Sequence, residues 1–212
     1  MPNIPEVKCE VMHMVGRWKL PRFLNKLEID AMFSSSKNNP RDSLMLKCMF
    51  YLGLRVSELQ NLKIEDIDLL NSTVKIICGK GKKDRYVPIP CSDLSESIKH
   101  FSAGRYRGLL ITGQDHVSKM TARHILRVVK KYAVLAGIRK PEEIHNHTLR
   151  HSYATYLQDR GVPLNAIQQL LGHEDIETTF IYLHLGIGKI HVMVTAAFDE
   201  HRAEPQPSFA CN

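Results

Sequence analysis

The stretch "RDSLMLKCMFYLGL" (41–54) constrains the fold of this chain more than any other. Its apolar residues fall on most faces of a helical wheel instead of one stripe. Such a helix is stable only when other elements surround it, so it belongs at the centre of a domain. The run ends near Gly53, and "RVSELQNL" (55–62) reads as a further helical turn or two. The 212 residues suffice for one ordinary domain or two small ones, and 43% hydrophobic residues is enough for a packed core.

The neighbours that could wrap this segment are legible in part. "NKLEIDAMFSS" (25–35) opens with Asn25 and places Glu28 three residues on, the pattern of a capping box. "TARHILRVVKKYAVLAGI" (121–138) predicts an amphipathic helix with Ile125, Val128, Val129, Tyr132, Leu135 and Ala136 on one side. Arg123, Arg127, Lys130 and Lys131 line its other side, and Gly137 suits its C-terminal cap. Helical stretches are also predicted over 91–101, over 148–160 ending at Gly161, over 164–171 ending at Gly172, over 175–183, and in a tail from about 189 to 200. The period changes at "TVKIIC" (73–78) and "RYVPI" (85–89), two strand candidates on either side of "GKGKKD" that signal a hairpin. Pro88 has no N–H to donate, which places the second strand at a sheet edge. The expected fold class is mainly α with a small antiparallel β-sheet or hairpin (α+β). Residues 1–20 have no clear period and are expected to be an arm or linker, 21–186 the main domain, and 187–212 a C-terminal helix and disordered tail.

Charge narrows the partners. Lys and Arg exceed Asp and Glu by 29 to 22, a surplus that favours nucleic acid or a membrane surface. No apolar run approaches the ~18 residues needed to cross a bilayer, and charge and proline interrupt the N-terminus where a signal peptide is apolar. Five cysteines, odd in number and without a CxxC pair, argue against a disulfide framework or a Cys-rich zinc site. A cytoplasmic protein is expected, so the glycosylation patterns at 71–73 and 146–148 read as chance.

"HTLRH" (147–151) leaves three readings open. His147 and His151 are spaced to share a metal, but Thr148 stands where a zincin helix supplies its glutamate, and Arg150 would sit beside the cation. They could equally be plain surface histidines. The third reading is an anion site: His147 and Arg150 are three apart, and they combine a fixed cationic fork with a group that moves protons near neutrality. Other segments share that character. Arg55 and Glu58 fall on one helical face, Lys80 lies between two glycines of the hairpin, His173 follows a helix end, and Tyr182 comes nine residues later. Singly, each has a plain structural reading as a solvated charge or a half-buried tyrosine.

Together, "YLGLRVSEL", "GKGKK", "HTLRH" and "LGHEDIETTFIY" resemble, in order and spacing, the boxes of the tyrosine recombinase (phage integrase, Xer-type) family, from about Pro21 to His184. The resemblance implies that family's catalytic-domain fold and a metal-free, cofactor-free cleavage of DNA. Tyr182 would attack the phosphodiester, Arg55 and Arg150 would clamp its oxygens, and Lys80 would protonate the leaving 5′-oxygen. His147 would act as base, His173 would hydrogen-bond the phosphate, and Glu58 would orient Arg55. Lys82, Lys83, Arg85, Lys119, Arg123 and Arg127 are candidate DNA contacts. The implied partner is double-stranded DNA, bound by a synaptic tetramer that is monomeric when free, with no membrane. Two rivals are a topoisomerase IB-like relaxing enzyme and a non-catalytic DNA-binding accessory module. The chain departs from the family in two places. Only about twenty residues precede "LPRFLNKLEIDAMF", where members carry an N-terminal domain, so a catalytic fragment and a compact recombinase are both expected possibilities. "LHLGIGKIHVMVTAAFDE" also differs from the usual continuation after the tyrosine.

Overall fold

The computed structural model describes residues 22–77, 84–113, 115, 117–172, 194 and 195. The first helix, α1 (Lys26–Ser36), starts at the anticipated capping box. The Asn25 side chain accepts from the Glu28 N–H at 2.9 Å, and the Glu28 carboxylate accepts from the Asn25 N–H at 2.9 Å. Two backbone donors that no helix can satisfy internally are thereby paired.

The apolar run becomes α2 (Pro40–Tyr51), with Pro40 in the first turn, where no N–H is required. From Asp42 to Tyr51 every residue but Lys47 is buried, as a central helix demands. Lys47 lays its stem on this surface and reaches Asp93 at 2.6 Å and the Ser97 hydroxyl at 2.9 Å. The short α3 (Val56–Asn61) follows a reversal at Gly53, whose φ is +57°. Among the described residues the strands β1 (Ile67–Asp68), β2 (Thr73–Ile76) and β3 (Arg85–Pro88) form one antiparallel sheet in that order. β3 lies at the edge, where Pro88 was expected. β1 was not anticipated, because two residues are too short to display a period of two.

After α4 (Ser92–Ser102) comes α5 (Ala122–Leu135), capped by the Thr121 hydroxyl accepting from His124 N–H at 3.1 Å. It buries Ile125, Val128, Val129, Tyr132 and Ala133. Leu135, expected on that face, is 59% exposed: it is the last residue of the helix and lies at the margin of the buried stripe, about 20° from Val128 on the Lys131 side at 100° per residue. Gly137 at φ +68° ends the helix, and the buried Ile138 donates back to Ala133 O at 3.0 Å. α6 (Thr148–Asp159) and α7 (Leu164–Leu171) close the described fold, each followed by a left-handed glycine within two residues. α2 packs against α1, α3, α4 and α6, while α7 packs on α6 and on β3. The result is mostly helical with one small sheet, as the sequence implied. The expected arm over 1–20, the helix over 175–183 and nearly all of the tail lie outside the described residues. Among the described residues no helix is long and apolar enough to cross a membrane.

Candidate active site

Glu58 is the hub of the site. It is only 8% exposed, and Arg55, three residues earlier, is the N-cap of the same short helix. Glu58 Oε2 accepts from the Arg55 backbone N–H at 2.7 Å, and Oε1 accepts from Arg55 Nη1 at 2.9 Å. Arg85 approaches from β3 as a fork, donating from Nη1 to Oε1 at 2.8 Å and from Nη2 to Oε2 at 2.9 Å. Arg150 Nη1 stands 3.8 Å from Oε2. Burial alone would raise the Glu58 pKa, but the hydrogen bonds and charge of Arg85, with the bonds from Arg55, overcome it and hold the carboxyl at about 2. Three guanidinium charges meet one carboxylate, so the cluster is net positive and suited to an anion.

The far side of the cluster is the end of α7. The last carbonyls of a helix have no partner within it and carry its negative dipole end. Here they face arginines: Arg85 Nε donates to Leu170 O at 2.7 Å, Arg150 Nη2 to Leu171 O at 2.5 Å, and Arg55 Nη2 to Gly172 O at 2.9 Å. Arg150 Nη1 also donates to Gly53 O at 2.6 Å. Burial, then the charge of Arg55, pushes the Arg150 pKa down to about 10, with Glu58 opposing; the group stays cationic at neutral pH. Both glycines are needed where they stand. A Cβ on Gly53 would lie 2.6 Å from the Tyr153 ring, and one on Gly172 would lie 3.2 Å from the Arg85 side chain.

"HTLRH" opens α6, with His147 as its N-cap and exposed, and Arg150 beneath it at 6% exposure. Partial burial, then the charges of His147 and Arg150, lowers the His151 pKa. Among the described residues no cluster of three His, Cys, Asp or Glu could hold a metal. Lys119 is exposed and donates to Asn61 at the end of α3 at 2.5 Å. Arg123 and Arg127 are exposed on α5, and Arg127 Nη2 lies 2.7 Å from His124 Nδ1. Lys80, Lys82, Lys83, His173 and Tyr182 lie outside the described residues. The structure therefore brings together Arg55, Glu58 and Arg150, places His147 exposed at the start of the helix that carries Arg150, and leaves Lys119, Arg123 and Arg127 on exposed surface.

Arg85 is the correction. Grouped by sequence with Lys82 and Lys83 as a DNA-backbone contact, it is instead 8% exposed and turned toward Glu58 and α7. The signal lay in the alternation of β3, where Arg85 and Val87 are buried and Tyr86 between them is exposed. The acceptor roles of Gly53, Leu170, Leu171 and Gly172 were also missed, since a carbonyl's partner leaves no trace in residue type.

The phage integrase family profile matches residues 22–187. A tyrosine recombinase of Pseudothermotoga lettingae is 42% identical over 171 residues, which cover 80% of this chain and 58% of that protein. The XerA recombinase crystal structure aligns with a TM-score of 0.67 at 29% identity, covering 87% of this chain and 66% of that one. The XerH site-specific recombinase, crystallised on its difH substrate in a pre-cleavage complex, aligns with a TM-score of 0.65 at 28% identity, covering 82% of this chain and 54% of that one. The chain spans less than two thirds of the length of the curated relatives it matches. On this profile match, and with arginines at the matching boxes converging on one carboxylate, the chain belongs to the phage integrase family and its described core has the fold of a tyrosine recombinase catalytic domain.

Proposed function

We propose that this chain is the catalytic part of a site-specific DNA recombinase that cuts and rejoins strands through Tyr182. The observation that carries the reading is the net-positive cluster of Arg55, Arg85 and Arg150 around buried Glu58, with His147 at the N-cap of the helix that carries Arg150. The Tyr182 oxygen attacks phosphorus, the bond to the 5′-oxygen breaks, and a 3′-phosphotyrosine ester forms. His147 accepts the tyrosine proton and Lys80 gives one to the leaving 5′-oxygen. Arg55 and Arg150 hold the non-bridging oxygens as their charge grows, and His173 adds a hydrogen bond. Attack by a 5′-hydroxyl reverses the sequence, so the ester retains the bond energy and no cofactor is consumed. Glu58 keeps Arg55 in place. Lys82, Lys83, Lys119, Arg123 and Arg127 contact the DNA backbone, and strand exchange proceeds in the cytoplasm within a tetramer assembled on DNA from monomers.

The test is a denaturing gel of the protein with nicked or supercoiled DNA, comparing the parent with Tyr182→Phe. A protease-sensitive protein–DNA adduct is expected for the parent alone, with DNA binding little changed in the variant. An adduct of equal yield from Tyr182→Phe would remove Tyr182 from the role.

A further inference from the structure

Leu170, Leu171 and Gly172, three consecutive residues at the end of α7, each accept a hydrogen bond from a different arginine. Arg150 and Arg55 are the phosphate clamp of the reading above. Arg85 is the third, and it has no place in that clamp. It opens β3, five positions after Lys80, and its fork occupies both oxygens of Glu58. Gly172 leaves the room it needs, since a Cβ there would stand 3.2 Å from Arg85 Cδ and Nη1.

We infer that Arg85 is a positioning residue for DNA cleavage, one that limits the hold of Glu58 on Arg55 and pins the end of α7 from which the chain runs to His173 and Tyr182. The inference rests on the recombinase reading. A carboxylate facing Arg55 alone would attract both prongs of its fork and draw the guanidinium away from a phosphate. With Arg85 seated on both oxygens, Arg55 is tethered to the carboxylate through a single guanidinium N–H, at 2.9 Å, and its Nη2 is turned to Gly172 O. Arg85 Nε also holds Leu170 O, so the strand that begins five residues after Lys80 and the helix that precedes Tyr182 in sequence share one anchor. A lysine cannot reproduce this, having one nitrogen and no planar fork.

The experiment uses the full chain with Arg85→Met and Arg85→Lys. Adduct formation at saturating DNA should slow roughly 10- to 100-fold in both, the scale of misplacing a reacting group by about an ångström. DNA affinity should stay within about threefold, because Arg85 is buried and its fork is taken up by Glu58 and Leu170 O. In a Glu58→Gln background, removing Arg85 should slow adduct formation far less than in the parent. A parental rate in Arg85→Lys would overturn the inference, as would rate and affinity falling together. Should Arg85→Met fail to fold, Arg85→Lys is read by the same criteria. Hydrogen exchange over Gln169–Gly172 without DNA supplies a readout independent of activity, and about tenfold faster exchange is expected in the variants as the last turn frays. If the parent forms no adduct, the recombinase reading fails by itself. Unchanged exchange then overturns the anchor as well, and faster exchange upholds it.

Discussion

Arg85 and Arg150 are 8% and 6% exposed and converge on one carboxylate, whereas Arg123 and Arg127 stand on the exposed side of α5. The residue type is the same and the physics is opposite. A guanidinium moved out of water loses several kcal/mol of hydration, which only well-placed acceptors can offset. Each buried arginine here therefore meets carbonyls or Glu58 at hydrogen-bond distance, and its geometry is fixed before any ligand arrives. The exposed pair keeps its hydration and is screened by salt, and among the described residues no buried carboxylate fixes it in place. A surplus of positive charge thus says nothing about which arginines are built into a site. Burial and acceptors decide that.

The comparison breaks most readily at Glu58. Replacing it by Ala would leave the three guanidiniums facing one another without their counter-charge. The expected loss of stability is about 3–5 kcal/mol, read from urea unfolding. The same carboxylate sets an acid limit. Its pKa lies at about 2 in the folded protein against an ordinary 4.5. A depressed carboxylate contributes stability that is whole above the ordinary value and is lost as pH falls through the folded one. The contribution is about 3 kcal/mol, disappearing between about pH 4.5 and 2. Glu58→Gln should flatten that part of the stability profile. A parent profile already flat there would mean that Arg85 and Arg55 do not hold the group.

Much of the buried site was legible because it follows local rules. Arg55 and Glu58 are three apart at a helix start, and the capping geometry that joins them needs no knowledge of the rest of the chain. The central position of α2 followed from apolar residues on most of its faces, and the edge position of β3 from Pro88. The parts that were hidden depend on long-range packing. Nothing near Arg150 in sequence announces that Gly53, nearly a hundred residues away, supplies its acceptor. Arg85 was misread because it adjoins a basic run, and composition outweighed the alternation that turned it inward. Leu135 was misplaced for a related reason: it is apolar, but it is the last residue of α5 and sits at the margin of the buried stripe.

A smaller effect sharpens the contrast at the backbone level. Gly53→Ala puts a Cβ at φ +57° and 2.6 Å from the Tyr153 ring, in the turn whose carbonyl receives Arg150. Left-handed strain and overpacking together should cost about 2–4 kcal/mol. Gly161 shares the positive φ, +78°, but a Cβ there meets nothing within 4 Å. Gly161→Ala should cost about 1 kcal/mol. Equal losses in urea unfolding would show that the Tyr153 contact contributes nothing and that only φ matters.

The smallest change in stability is expected on α5. Arg123→Ala and Arg127→Ala should each alter unfolding free energy by less than about 0.5 kcal/mol, because both side chains are exposed. On the proposed reading, their effect is expected in DNA affinity and its salt dependence. Each phosphate contact removed should reduce the slope of log affinity against log salt by roughly 0.9, so the variants converge with the parent as salt rises. Arg150→Ala should behave differently, since a buried cation is poorly screened and its loss persists at high salt. Binding titrations of the three variants across a salt series separate the cases. Three parallel lines would mean that burial does not divide these arginines by function. A flattened slope for Arg123 and Arg127 with a salt-independent offset for Arg150 would place the phosphate grip on α5 and the chemistry on the Glu58 cluster.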